Sequence, residues 1–394
     1  MSEYTQPLCA GPLAARAREI EPFHVMELLA RAQTLEASGR DIIHMEVGEP
    51  DFPAPAPVIE AAQRFLARGQ VRYTPALGLP ALRDAISTYY ATRFGVTVPA
   101  SRIIVTAGAS GALLLALAAL TQPGDSWLVP DPGYPCNRHF VRAFEGVAQA
   151  LPVLASDAFQ PTLAQVNQAW GPTTRGLIVA SPSNPTGTLI SPTSLEQLAG
   201  FVAERQGALI VDEIYQGLSY GIAPTTALAN RHPCFVINSF SKYFSMTGWR
   251  LGWLVAPEAY VRDLEKLAQH FFISPSTPAQ HAALAAFAPE TIEILEQRRM
   301  AFASRRDVLC TGLRELGFVV PAEPAGAFYV YADVSAHAQD SAAFAHHLLE
   351  TTGVAATPGI DFGQQSPERW LRFTYTTDEA RIREALARMR QVLA

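Results

Sequence analysis

The stretch Ala208-Leu-Ile-Val-Asp212-Glu-Ile-Tyr215 determines the fold that we expect for this chain. Four apolar residues precede Asp212 with no polar residue between them, a pattern typical of a strand covered by helices on both faces. An unpaired carboxylate at the end of such a strand would be costly, so we expect Asp212 to have a partner. The stretch therefore predicts a buried strand that ends at a paired acidic side chain.

Similar apolar runs lie on both sides of this strand, separated by helix-like segments. This alternation predicts a doubly wound α/β fold, with helices on both faces of the sheet. The predicted strands cover residues 103–107, 126–130, 176–180, 208–212, 234–239 and 251–256.

The pattern changes near residue 289, where a long charged helix begins. Further short strands and helices follow, and residues 23–39 form another amphipathic helix that ends at its glycine. We therefore predict three parts: an N-terminal arm (1–22), a large domain (46–288), and a smaller α+β domain made of 23–45 with 289–394.

Composition excludes several classes of function. The chain has 394 residues, a net charge of −6 and no basic cluster of the kind that nucleic-acid surfaces need. Its longest strongly apolar stretch, 111–120, is about half a membrane span, and no signal peptide precedes it. The four cysteines lack metal or redox spacing, and the adjacent His346 and His347 do not form a metal pair. We predict a cytoplasmic protein with no metal site, no membrane contact and a packing role for Cys136.

Three short motifs follow predicted strands, and the carboxyl ends of such strands converge on one crevice. They are Ser183-Asn184-Pro-Thr-Gly187, Asp212-Glu-Ile-Tyr215 and Ser239-Phe-Ser241-Lys242, with Arg250 shortly after. A lysine amine, a carboxylate, a phenol, an amide and an arginine are the groups that pyridoxal 5′-phosphate (PLP) chemistry uses. They would supply a Schiff base, a partner for the ring nitrogen, partners for the O3′ oxygen and a phosphate ligand.

The segment Ala107-Gly-Ala-Ser-Gly-Ala112 lies between a predicted strand and an apolar helix. Small residues at a helix start let the backbone approach a phosphate closely. Taken alone, this segment also suggests a dinucleotide loop or a hydrolase nucleophile elbow. It lacks the G-x-G-x-x-G spacing of the first and ends in Ala where the second has Gly.

Together these motifs resemble the class I/II aminotransferases of PLP-dependent fold type I, which include bacterial aspartate, alanine and aromatic aminotransferases. The resemblance extends over nearly the whole chain. It also rests on Arg18-Glu-Ile-Glu-Pro-Phe23, Gly48-Glu-Pro-Asp51-Phe52, Tyr73-Thr-Pro-Ala-Leu-Gly78, Asp131-Pro-Gly-Tyr134-Pro and Arg250-Leu-Gly-Trp253.

The resemblance implies a large domain with a mostly parallel seven-stranded sheet, a homodimer with shared active sites, and a role for each matching residue. Lys242 would form the internal aldimine, Asp212 would pair with the pyridine nitrogen, and Asn184 and Tyr215 would bond O3′. Tyr134 would stack on the ring, and Arg372 with the Gly48 backbone would bind the substrate α-carboxylate, with Asn184 close by. The phosphate ligands would be Ala109, Ser110, Ser239, Ser241, Arg250 and, from the neighbouring subunit, Tyr73.

The family resemblance implies ping-pong transamination between an L-amino acid and a 2-oxo acid. Neither the loop 109–111 nor the segment 271–278 offers a second cation for a dicarboxylate. With Ile20, Phe23 and Phe328 as possible walls, we predict a substrate with a neutral or aromatic side chain. A PLP-dependent carbon–sulfur lyase is the alternative on this scaffold. A PLP-binding sensor is a more remote one, since the arm before Phe23 is too short for a DNA-binding domain.

Overall fold

The computed structural model of the chain describes residues 13–393. Its α-helices are α1 (Ala15–Glu19), α2 (His24–Ala37), α3 (Ala56–Leu66), α4 (Pro80–Phe94), α5 (Gly108–Leu120), α6 (Cys136–Ala143), α7 (Leu163–Ala169), α8 (Pro192–Glu204), α9 (Glu258–Phe271), α10 (Thr277–Leu284), α11 (Pro289–Glu315), α12 (Ser341–Thr352) and α13 (Glu379–Leu393). Its strands are β1 (Ile43–His44), β2 (Ile103–Thr106), β3 (Ser126–Asp131), β4 (Val147–Pro152), β5 (Thr174–Ala180), β6 (Ala208–Asp212), β7 (Phe235–Ser239), β8 (Gly252–Val255), β9 (Tyr329–Asp333), β10 (Val354–Ala355), β11 (Thr357–Pro358) and β12 (Trp370–Thr374).

The central sheet has seven strands in the order β2-β8-β7-β6-β5-β3-β4. Only β8 runs against its neighbours, so the predicted mostly parallel α/β architecture is confirmed. Each of the six apolar runs forms one of its strands. The seventh strand, β4, has no such run because most of its residues at this sheet edge are exposed or half-buried, with Val147 54% exposed. An edge strand does not need to be apolar on both faces.

Helix α5 packs against β7, β8 and α9, and most of its residues are buried. A helix that is apolar all round belongs in such an interior position. It begins at Gly108, so the predicted loop 107–112 is largely the first helical turn. Gly108 has φ +70°, a left-handed conformation that glycine adopts without a steric penalty, and this turns the chain from β2 into the helix.

Two small sheets lie outside the central one. Strands β11, β12 and β9 form an antiparallel sheet, and β1 pairs in parallel with β10. The β1–β10 pairing joins residues 43–44 to the C-terminal part of the chain, as the prediction for the smaller domain requires. The division into a large and a small domain stays a prediction, and the first twelve residues of the predicted arm lie outside the described residues.

One side of the central sheet contributes a large apolar cluster, which continues into the segments around β9, β12 and α13. A second cluster lies beneath α5 and α9 on the other side. In the described part of the chain, no helix is both long and apolar enough to cross a membrane.

Candidate active site

A cavity lies at the carboxyl ends of β5 and β6. Six of the residues predicted from sequence share its wall. The lining residues are Ala109, Ser110, Leu113, Tyr134, Ala180, Asn184, Asp212, Ile214 and Tyr215. The chain thus brings together side chains that are more than 100 positions apart in sequence, because parallel strands end at the same edge of a sheet.

Asp212 is the last residue of β6 and is buried. Burial raises the pKa of its carboxyl group to about 6, although the Ile214 N–H donates to Oδ1 at 3.0 Å and the charge of Lys242 acts in the opposite direction. A buried carboxylate with a raised pKa gains stability from a cationic partner. Asp212 is therefore suited to hold a protonated ring nitrogen.

Lys242 follows β7 by three residues and is half-buried. Its Nζ donates to the Gly48 carbonyl at 2.6 Å. Burial lowers the pKa of its amine to about 8, and the positive charges of Arg372 and Arg250 also lower it. A large share of the amine is therefore neutral near physiological pH, as a nucleophile requires.

The first turn of α5, the guanidinium of Arg250 and the start of β8 lie in close contact. A Cβ atom added to Gly108 would lie 2.7 Å from Arg250 Nη2, and one added to Gly252 would lie 2.9 Å from the Ala109 nitrogen. The helix N-terminus and the guanidinium both favour an anion. These residues form a compact anion cradle that larger side chains would fill.

Ser239 and Ser241 lie at the end of β7 and beyond it, and both are buried. The Ser239 hydroxyl is 2.9 Å from the Ser241 hydroxyl and 3.1 Å from the Leu251 carbonyl oxygen, and its oxygen accepts the Ser241 N–H at 3.0 Å. This network fixes the turn that leads from the strand to Lys242. The role of either serine as a phosphate ligand stays a prediction.

Arg372 lies on β12 and is buried. Its Nη1 donates to Asn184 Oδ1 at 3.0 Å, and its Nη2 donates to the Glu46 carbonyl and to Thr357 Oγ1 at 3.2 Å. Its Nε–H is buried and has no hydrogen-bond partner within residues 13–393. A planar guanidinium with a free, desolvated donor is suited to bind a carboxylate.

Tyr329, at the start of β9, is a site residue that the sequence prediction missed. Its hydroxyl lies 2.6 Å from the Tyr215 hydroxyl, and its ring lies 4.4 Å from the Arg372 guanidinium carbon. A Cβ atom at Gly48 would lie 2.3 Å from the Tyr329 hydroxyl, so Gly48 is required to be small. The neighbouring Phe328 is the residue that we predicted as a wall. It is fully buried, with Lys242 Nζ 5.8 Å from its ring centroid.

A wider cleft adjoins the cavity, and Tyr134 lines both. Apolar side chains such as Ile360 and Phe362 contribute to its wall, together with the charged Arg138 and Glu21. Ile20 follows α1, next to Glu21, and is partly exposed. Burial raises the pKa of the Cys136 thiol beside Tyr134, which favours the predicted packing role over a reactive one.

Tyr73, another predicted site residue, has 81% of its surface exposed in the single chain. No group of three or more His, Cys, Asp or Glu side chains within residues 13–393 is arranged to hold a metal ion.

The fold and the cluster around Lys242 place the chain in the class of PLP-dependent enzymes of fold type I. The chain belongs to the family described as aminotransferase class I and II, whose model matches residues 40–389. A relative from Mycobacterium tuberculosis (strain ATCC 25618 / H37Rv), named valine–pyruvate aminotransferase, is 41% identical over 372 residues, 94% of this chain and 96% of the relative. An aspartate/prephenate aminotransferase from Thermus thermophilus is 35% identical over 97% of this chain and 98% of its own. A crystal structure of an aminotransferase from Mycobacterium tuberculosis, 39% identical, superimposes with a TM-score of 0.93 over 97% of this chain and 99% of the other.

The protein is therefore an aminotransferase with PLP as its cofactor. The residues present fit that cofactor. The glycine-lined cradle beside Arg250 suits a phosphate, the buried Asp212 suits a ring cation, and Lys242 has a pKa low enough to supply a neutral amine.

Proposed function

We propose that this aminotransferase moves the amino group of an L-amino acid with an uncharged side chain to a 2-oxo acid, with Lys242 as its reactive amine. The observation that carries the proposal is that two side chains, Lys242 and Arg372, bind the main chain of the same short segment, 46–48. Lys242 Nζ is bound to the Gly48 carbonyl, and Arg372, with its free Nε–H, is bound two residues earlier at Glu46. Because both groups bind carbonyls of one three-residue segment, the reactive amine and the proposed carboxylate receptor lie near each other, as a substrate whose reacting carbon carries the carboxylate requires.

Bound PLP supplies an electron-withdrawing ring that stabilises negative charge at the substrate α-carbon. We propose that Lys242 would accept the proton from that carbon at Nζ and hold it for the return transfer. Asp212 would keep the ring nitrogen protonated, and Tyr215 and Asn184 would bind the O3′ oxygen. Tyr134 would stack on the ring face.

The phosphate is held, in this proposal, by the α5 N-terminus at Ala109 and Ser110, by Arg250, and by Ser239 with Ser241. Tyr73 would add a hydroxyl from the partner subunit of a homodimer. Its 81% exposure in the single chain leaves the side chain available for such a subunit contact. Arg372 and the Gly48 backbone bind the substrate α-carboxylate.

A single site that binds the amino acid and the 2-oxo acid in turn implies ping-pong kinetics. Domain closure over the substrate, by movement of 23–45 and 289–394 against 46–288, would exclude water. Equal domain positions with and without a bound substrate analogue would contradict that motion. We propose that the protein acts in the cytoplasm.

The proposed substrate class follows from the charges around the site. The first turn of α5 presents Ala109 and Ser110, with no cation for a distal carboxylate. In the adjoining cleft, Arg138 shares the wall with two carboxyl groups, Glu21 and Asp131. The name of the Mycobacterium tuberculosis relative, valine–pyruvate aminotransferase, supports an aliphatic donor. Aspartate is the competing candidate, favoured by the name of the Thermus thermophilus relative.

The test combines a substrate panel with a lysine variant. Incubation with valine, leucine, phenylalanine, aspartate and glutamate, each followed by chromatography of the cofactor, should give pyridoxamine phosphate fastest with a neutral donor. Fastest turnover with aspartate would overturn the substrate class. A separate incubation with cystathionine, which has a sulfur leaving group at Cβ, tests the lyase alternative, which predicts homocysteine, pyruvate and ammonia in place of pyridoxamine phosphate.

The chain contains only two lysines, Lys242 and Lys266, which makes the amine assignment unusually clean. Lys266 is exposed on α9 and pairs with Asp263. Lys242→Ala should abolish turnover and the absorbance of the covalently bound cofactor, whereas Lys266→Ala should leave both unchanged. A Lys242→Ala protein that transaminates normally would refute the proposal.

A further inference from the structure

An ionisable pair, of which one member is fully buried and the other half-buried, lies behind the proposed substrate-binding groups. His44 and Glu46 are two positions apart at the end of β1, so they point to the same side of the extended chain. His44 Nδ1 lies 2.6 Å from Glu46 Oε1, and the Glu46 side chain is fully buried. The other ring nitrogen of His44 lies 3.1 Å from Glu36 Oε1 on α2.

The main chain of the same segment accepts hydrogen bonds from both the proposed carboxylate receptor, Arg372, and the reactive amine of Lys242. The Glu46 carbonyl accepts from Arg372 Nη2 and from Thr357 Oγ1, the latter at 2.9 Å. Two residues later, the Gly48 carbonyl accepts from Lys242 Nζ. The position of this three-residue segment therefore sets the separation between the proposed carboxylate receptor and the reactive amine.

We propose that His44 and Glu46 are positioning residues, which anchor the segment 46–48 from behind and thereby fix Arg372 and Lys242 at the separation that an α-amino acid requires. This inference rests on the proposed function, because it presumes that Arg372 binds the α-carboxylate. Neither side chain needs to touch the substrate. The Glu46 side chain acts through the carbonyl of its own residue.

The charge state of the pair supports this role. A buried carboxylate is tolerated when it has a hydrogen-bonded cation beside it. The Glu46 hydrogen bond is the largest cause that raises the pKa of His44 to about 9, burial opposes it, and Glu36 on α2 raises it further. On the other side of Glu46, Arg372 contacts only its carbonyl. Because the pKa of His44 is raised from 6.5, the ion pair is complete at neutral pH and is lost as the pH rises through about 9.

The test uses the holoenzyme and 4-methylpentanoate, a carboxylate that has no amino group and competes with the amino acid. Its inhibition constant, Ki, reports carboxylate binding separately from chemistry. Glu46→Ala removes the anchor, so Ki at pH 7.5 should rise roughly 5- to 50-fold, below the ~100-fold that a 1 Å misplacement costs. Glu46→Gln keeps a hydrogen bond to His44 without the charge, so its Ki at pH 7.5 should stay within about threefold of the wild-type value.

The pH profile adds a measurement that a merely structural role would not change. Between pH 8 and pH 10 the wild-type Ki should rise roughly threefold more than that of Glu46→Gln, because charge-assisted hydrogen bonds are about twice as strong as neutral ones. Titration of other groups at the site contributes equally to both proteins and cancels in this ratio. The comparison needs no destabilised variant, so it remains decisive if Glu46→Ala does not fold.

Two controls separate the possible failures. His232 faces Glu196 at the surface at 3.9 Å, so His232→Gln should leave Ki and its pH profile unchanged. Arg372→Leu should abolish inhibition. If it does not, the proposed function itself is wrong and this inference falls with it. If Arg372→Leu abolishes inhibition while Glu46→Ala changes neither Ki nor its pH profile, only the positioning role is refuted.

Discussion

The lowered pKa of Lys242 leads to a measurable prediction about how the apoenzyme captures PLP. Covalent capture requires the neutral amine. With a pKa of about 8, as burial dictates, roughly a quarter of the amine is neutral at pH 7.5, against about a thousandth for a lysine at its ordinary value of 10.5. The buried amine should therefore capture PLP roughly 200-fold faster at this pH than a lysine with an ordinary pKa of the same intrinsic reactivity.

The assay is stopped-flow mixing of apoenzyme with PLP from pH 6.5 to pH 10.5, followed by the absorbance of the bound cofactor. The rate should rise about tenfold per pH unit below pH 8 and then level off. Lys242→Ala, which retains the exposed Lys266, provides the reference for a protein that lacks the proposed reactive amine. A wild-type rate that continues to rise to pH 10 would refute the claim that burial lowers this pKa.

Three further predictions concern the supporting residues. Gly48→Ala should destabilise the protein by about 1–3 kcal/mol through overpacking against Tyr329, and Tyr329→Phe by about 1–2 kcal/mol through the lost bond to Tyr215. In the double variant the added Cβ would meet only ring carbons, at 3.2–3.3 Å. Urea unfolding should therefore show a loss of stability about 2 kcal/mol smaller than the sum of the two single losses. Single losses that add to within about 0.5 kcal/mol would contradict the geometry. Gly252→Ala places a Cβ 2.7 Å from the Gly108 backbone carbon and should weaken PLP binding at least about tenfold, as measured by equilibrium dialysis. Gly248→Ala, whose Cβ would lie in open space, should leave PLP binding unchanged. Equal PLP affinities of the two variants would argue against the anion cradle. Asp212→Asn should slow single-turnover formation of pyridoxamine phosphate by about 10²–10⁴-fold, and a loss below threefold would exclude its role at the ring nitrogen.

The contrast between α5 and β4 shows what local sequence can predict about the fold. Continuous apolar runs identify six strands of the central sheet because those strands are buried on both faces. The edge strand β4 escapes detection because it carries no such run, and the start of α5 is displaced to Gly108 because small residues fit a loop and a helical turn equally well.

The site shows a similar division. Lys242, Asp212 and Asn184 are recognisable because their chemistry and order are specific. Tyr329 is not, since an aromatic beside Phe328 reads as core, and only the tertiary packing brings its hydroxyl to the Tyr215 hydroxyl. Glu46 gives no sequence signal for its position behind Arg372, because that contact spans 326 residues and uses the backbone.

The sequence by itself determined the alternation of strands and helices and the residue types of a PLP site, since both depend on local periodicity and on side-chain chemistry. Only the tertiary structure decided how these groups meet. It brought Arg372 to the Glu46 carbonyl and Lys242 to the Gly48 carbonyl. It also removed the Lys242 amine from solvent, so that its pKa falls to about 8. Distances and desolvation arise from packing among distant segments, and no local pattern in the chain encodes them.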